Sequence, residues 1–134
     1  MKIEVSNGDF FDRHSILSIK LDRIEDEEKL SFVQREIDNM RNQLHSMYIY
    51  LPVLKSESYI KLKEVNDELW DIEDRIRQKE DLGEFDEEFI DLSRKIYQKN
   101  DYRFRLKNQI DLDTNSDLQE QKSHRTCVNN DTGL

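Results

Sequence analysis

Residues 30–51, LSFVQREIDNMRNQLHSMYIYL, hold Leu30, Val33, Ile37, Met40, Leu44, Met47 and Leu51 at unbroken 3-4 spacing. Residues 62–76, LKEVNDELWDIEDRI, repeat that rhythm over Leu62, Val65, Leu69, Ile72 and Ile76. An α-helix brings such positions onto one side, so each run draws a single apolar stripe along a long helix. Pro52 lies between the runs, in a short connection where neither stripe need continue. The pattern predicts a helical hairpin over 30–51 and 56–80.

The flanking sequence supplies the other elements. Lys2 to Ser6 alternates polar and apolar residues, as in a short strand or extended arm. Ser6 and Asp9 have the spacing of a capping box, with Val5 and Phe10 as its staple. A first helix over 9–24 then turns Phe10, Ile16, Leu17, Leu21 and Ile24 inward. Glu25 to Glu28 suit the first turn of the next helix, where the dipole favours negative charge. Gly83 is placed to stop the third helix. Asp86 is placed to cap a fourth over 86–110, with Phe85 stapling onto Ile90. Along that helix Phe89, Leu92, Ile96, Leu106 and Ile110 share a face, and the same rhythm puts Lys99 and Arg103 into the seam. Asp117 to Ser123 reads as one short helical segment.

The fold class that follows is all-α: an antiparallel helical bundle built on a long helical hairpin, with a short extended N-terminal arm. Residues 1–124 form a single domain in this reading, and 125–134 a flexible tail. Stripes this regular often continue across a subunit boundary, so a homodimer is expected.

Charge narrows the function classes. Charged residues make up 38% of the chain against 35% hydrophobic, and the formal net charge is −9. A chain of that sign is not drawn to nucleic acid or to an anionic membrane. Residues 64–91 carry thirteen acids, whereas 94–107 carry Arg94, Lys95, Lys99, Arg103, Arg105 and Lys107 against Asp101 alone. Two neighbouring helices with complementary surfaces explain this. A basic helix that holds a small anionic ligand explains it too. The start at Met1-Lys2-Ile3-Glu4-Val5 has no signal-peptide character, and no apolar stretch reaches the roughly 20 residues of a membrane span, so a cytoplasmic protein is expected. Cys127 stands alone, which rules out a disulfide framework or a Cys-based zinc site within one chain.

Catalytic templates fit poorly. A di-iron bundle needs Glu-x-x-His, but His14, His45 and His124 follow Phe11, Asn42 and Gln121 at that spacing. Carboxylates one helical turn apart occur at Glu25/Glu28, Glu64/Asp67 and Glu68/Asp71. They keep open an alternative, a small all-α magnesium-dependent phosphohydrolase using Glu64, Asp67, Glu68 and Asp71. The sequence holds neither a Gly-rich nucleophile elbow nor a phosphate-cradling loop. No cofactor is expected, and a non-catalytic role is favoured.

Three segments stand out. In Val5-Ser6-Asn7-Gly8-Asp9 small polar groups meet a helix N-terminus, whose free N–H groups suit an anion. In Glu68-Leu69-Trp70-Asp71-Ile72-Glu73-Asp74-Arg75-Ile76-Arg77 the lone Trp is flanked by charges, and Arg75 is in reach of Asp71 or Asp74. In Tyr97-Gln98-Lys99-Asn100-Asp101-Tyr102-Arg103 polar groups replace the Leu a seam would use. The candidate ligand site drawn from them is Asn7, Arg75, Lys99, Asn100, Asp101 and Arg103. A buried, salt-bridged register device explains the last segment equally well.

With Ile16-Leu17-Ser18-Ile19-Lys20, Gly83-Glu84-Phe85-Asp86 and a closing stretch at Glu120 to Ser123, these segments resemble an uncharacterised family of short bacterial proteins with relatives in phage. The likeness runs over about residues 1–123; Gln121 and His124 depart from the family's closing acid pair and aromatic. The family is a domain of unknown function. Its association with sugar-transfer genes implies an accessory role in surface-polysaccharide assembly, served by a protein partner or a small anionic ligand. For a phage copy, the resemblance also allows a protein that sequesters a host small molecule.

Overall fold

A computed structural model describes residues 1–44 and 49–125, and among them every regular element is helical. The helices are α1 (Asn7–Arg23), α2 (Glu27–Leu44), α3 (Tyr50–Leu54), α4 (Glu57–Leu82) and α5 (Glu87–Asp113). The all-α bundle is therefore as expected. Met1 to Val5 run exposed ahead of α1 without forming a strand, which leaves the extended arm.

Local chemistry sets the helix ends. The Oγ of Ser6 accepts from the Asp9 N–H at 3.0 Å, and Ser56 and Asp86 cap α4 and α5 by accepting from Tyr59 and Phe89. Each such cap satisfies an otherwise orphaned N–H and is worth about 1 kcal/mol. Gly83 ends α4 at φ 65°, a left-handed backbone that glycine adopts without a Cβ clash.

Two expectations need correction. Pro52 sits inside the short helix α3, not in a connection, and Leu51 beside it is exposed. Proline is tolerated in the first turn, where its missing N–H has no helical acceptor. The stripe over 30–51 thus belongs to α2 only as far as Leu44, and Met47 falls outside the described residues. Asp117 to Ser123 is not helical either; the chain runs back as an irregular strap along α5.

The partners in the hairpin also differ from the expectation. α4 packs most extensively on α5, α1 lies in the groove they form, and α2 packs on the outer side of α1. Two apolar clusters result. Phe11, Tyr59, Leu62, Val65, Tyr102, Leu106 and Ile110 fill the space between α1, α4 and α5, joined by Val53. Leu17, Val33, Ile37 and Met40 fill the space between α1 and α2, with Phe10 packing against both clusters. The α2 stripe is therefore covered within one chain. Leu62, Val65 and Leu69 of the α4 stripe are buried, whereas Ile72 and Ile76 are only half-buried toward the turn.

A polar layer between three helices

The middle of α1 interrupts its apolar face with Asp12 and Ser15. Those two side chains meet Asn66 from α4 and Arg103 from α5, which makes a polar layer across the three-helix core. Asn66 Nδ2 donates to Asp12 Oδ1 at 2.9 Å and to Ser15 Oγ at 2.8 Å. Arg103 grips both Asp12 carboxylate oxygens, through Nε at 2.9 Å and through Nη2. Asp12, Ser15 and Asn66 are buried, and the Arg103 side chain keeps 29% exposure. The Asp12 carboxylate holds the Arg103 pKa up, against the opposing effect of burial. A buried carboxylate is tolerated here because a bidentate guanidinium and an amide share it.

Around this layer α5 carries further cations. Lys107 Nζ lies 2.7 Å from both Asp9 of α1 and Glu120 of the strap. Burial works against the Lys107 ammonium, but those two carboxylates outweigh it and its pKa is raised. Lys122 of the strap pairs with the buried Asp101 and lies over the Phe104 ring, 5.6 Å from its centroid. Between α5 and the strap opens a cleft of about 380 Å³ lined by Asn100, Arg103, Phe104, Lys107 and residues 120–124. Arg103 also lines a cleft of about 350 Å³ with Trp70, Asn66, Asn100 and Arg77. It reaches a third, of about 600 Å³, between α1 and α2. Arg103 thus lines three openings.

The expected site residues divide into groups. Asn100, Asp101 and Arg103 come together at the strap cleft, and Asn100 Oδ1 lies 3.5 Å from Arg103 Nη1. Lys99 faces α4, where it meets Glu68 at 2.8 Å. Arg75 pairs with Glu88 at the far end of α5, not with Asp71 or Asp74. Twelve residues separate Glu88 from Asn100, about 18 Å along the helix. Asn7 lies beyond the other end: its N–H donates to Ser116 Oγ at 2.9 Å and its Nδ2 to Thr114 Oγ1 at 2.8 Å.

The α1 N-terminus does receive an anion, and the chain supplies it. The Gly8 N–H donates to Asp111 Oδ1 at 2.6 Å. Burial pushes the Asp111 carboxyl pKa up, although the Gly8 N–H pulls it down. A Cβ on Gly8 would stand 2.3 Å from the Lys107 carbonyl oxygen, so only glycine lets the two backbones approach this closely.

The acids of the magnesium reading are distributed differently. Asp67 and Asp71 are taken by Arg23, at 2.9 and 2.6 Å, and Glu68 by Lys99. Among the described residues no three His, Cys, Asp or Glu side chains gather where they would hold a metal ion. Arg23 also stacks over Trp70, 5.7 Å from the ring centroid.

Sequence reasoning missed Asp12, Ser15, Asn66, Lys107, Glu120 and Lys122. Ser15 had a readable signal, since Phe11, Ser15 and Ile19 share one helical face and the middle position is polar. Glu120 and Lys122 lie in the closing stretch that the resemblance marked, but their partners follow only from where the strap returns.

No helix among the described residues is long and apolar enough to cross a membrane. Neither a curated protein nor a solved structure matches the chain. A family model does match, over residues 1–133, past the 1–123 reached by the motifs, and the chain belongs to that family, the family of unknown function DUF6165.

Proposed function

We propose that this chain is a non-catalytic binding or accessory protein whose ligand is a small anion seated at Asn100, Arg103, Lys107 and Lys122. The observation that carries this reading is Arg103, whose guanidinium is held by Asp12 while the residue lines three open clefts. A donor held in place before binding loses little entropy when a ligand arrives.

Charge arithmetic says how binding proceeds. Arg103, Lys107 and Lys122 are answered by Asp9, Asp12, Asp101 and Glu120. Three cations against four carboxylates leave no spare positive charge, so an added anion is favourable only where it replaces one of the acids. Glu120 is the replaceable acid: it is 42% exposed and sits on the irregular strap, whereas Asp12 and Asp101 are buried and Asp9, 39% exposed, is held in the first turn of α1. The ligand's anionic group takes the Glu120 position on Lys107 in this scheme.

The suggested link to surface-polysaccharide assembly makes glucose 1-phosphate the probe of choice, with glucose and inorganic phosphate as controls. Titration calorimetry of the full chain should show saturable binding of the sugar phosphate. Asn100→Ala and Arg103→Lys should each weaken it about tenfold, the loss of one good polar contact. Unchanged affinity in both variants, with circular dichroism normal, would refute the site. Homodimerisation remains a separate proposal, read from the sedimentation of the free chain.

A further inference from the structure

At the turn between α4 and α5 the chain holds apolar side chains in water. Leu82, Phe85 and Ile90 are 66%, 61% and 56% exposed. Phe89 packs edge-on against Phe85, with ring centroids 5.1 Å apart. Exposure of this kind is unremarkable where a loop is loose, but this turn is tied down. The Glu84 N–H donates to the Lys79 carbonyl and the Gly83 N–H to the Glu80 carbonyl, each at 3.0 Å, which closes the end of α4. The Lys79 side chain is 5% exposed, and its Nζ reaches Glu84 at 2.9 Å and Asp86 at 2.7 Å. Both neighbours of Phe85 are thereby anchored to one buried ammonium. Asp86 at the same time caps α5, and Arg75 grips Glu88 two residues on. The residues on both sides of Phe85 are thus tied down while its ring stays exposed.

The surrounding charge indicates what covers it. From Glu80 to Asp91 the chain has seven carboxylates and no Lys or Arg. Arg75, Lys79 and Lys95 from either side pair with Glu88, Glu84, Asp86 and Asp91, and the turn stays net negative through Glu80, Asp81 and Glu87. A second copy presenting the same turn would bring the same sign, which disfavours pairing turn to turn. We propose that the α4–α5 turn is a docking knob for another protein, and that the docked element is an amphipathic helix whose apolar stripe is flanked by Lys and Arg. Phe85 and Ile90 supply the apolar anchors, and the carboxylates steer and orient the basic flanks. This surface is independent of the anion cleft, so either proposal can fail alone.

The test uses the full chain and two labelled peptides of the same Leu-Lys composition, each about 18 residues long so as to form a helix. One places Leu on a single face, and the other is scrambled. Fluorescence anisotropy should show the amphipathic peptide binding at least about tenfold more tightly, with the affinity falling as salt is raised. Phe85→Ser combined with Ile90→Ser should remove that preference with the circular dichroism unchanged. Glu87→Lys, which leaves the apolar anchors in place, should weaken binding of the amphipathic peptide several-fold. Equal binding of both peptides, or a preference that survives the double variant, would overturn the proposal. A dimer of the free chain that the double variant dissociates would overturn it as well, since the knob would then belong to a second copy.

Discussion

The two ends of α5 use charge in opposite ways. Toward its start, Lys79 and Arg75 tie down carboxylates that remain about half exposed, and the result is a rigid turn at the surface. Further along, Arg103, Asp101 and Asp111 reach into the space between helices and fix how α1, α4 and the strap meet α5. A half-exposed carboxylate can return to water when its cation is removed, so that removal costs little. A buried one cannot, and losing its partner strands a charge. The comparison teaches that the C-terminal half of α5 sets the register of the bundle, and that a guanidinium held this firmly is also suited to meet a ligand.

The largest way to break this comparison is Gly8→Ala. The new Cβ would meet the Lys107 carbonyl, a backbone group that cannot turn aside, so α1 must lift off α5. A loss of about 3 kcal/mol or more is expected in urea unfolding, in the range of severe overpacking. Next comes Arg103→Ala, which takes the guanidinium from the buried Asp12 carboxylate and leaves the Asn66 amide donating to it. About 3 kcal/mol should be lost, since one partner of a buried pair is removed.

His14 sharpens the contrast through pH. It is buried, its Nδ1 lies 2.7 Å from the Tyr59 hydroxyl, and burial pushes its pKa down to about 4, helped by the charges of Arg41 and Lys63. The unfolded chain therefore binds the proton first as pH falls. Stability from this group is complete above the ordinary His value and drains away between about 6.5 and about 4. Between pH 7 and pH 5 the loss should be about 2 kcal/mol, read from urea midpoints, and His14→Gln should flatten that slope. The smallest effect belongs to the start of α5, where the acids left behind are half exposed. Lys79→Met should lower Tm less than Arg103→Ala does, while loosening the turn in amide exchange; a larger fall would reverse the comparison.

Much of the architecture was legible in residue spacing. The caps at Ser6 and Asp86, the stop at Gly83 and the buried stripe Leu62-Val65-Leu69 all come from local chemistry that a sequence displays directly. The choice of partners was not legible, because a 3-4 stripe states that a face is apolar without saying which helix covers it. α2 and α4 carry similar stripes, yet α1 separates them. The candidate site was half legible for a similar reason. Lys99 and Arg103 stood out as polar residues in a seam, but Asp12, Asn66 and Glu120 acquire their roles only when distant segments meet. Arg75 was drawn in because its neighbours in sequence are acidic, although its partner, Glu88, is across the turn on α5.

The most direct test of the central claim is an amide ¹H–¹⁵N titration of the full chain with glucose 1-phosphate. The account predicts saturable shifts concentrated at Asn100, Arg103, Lys107 and the strap from Glu120 to Lys122, with Glu120→Gln tightening the affinity. Shifts spread over other helices, or none at all at millimolar sugar phosphate, would contradict it and leave Arg103 as a device that only sets helix register.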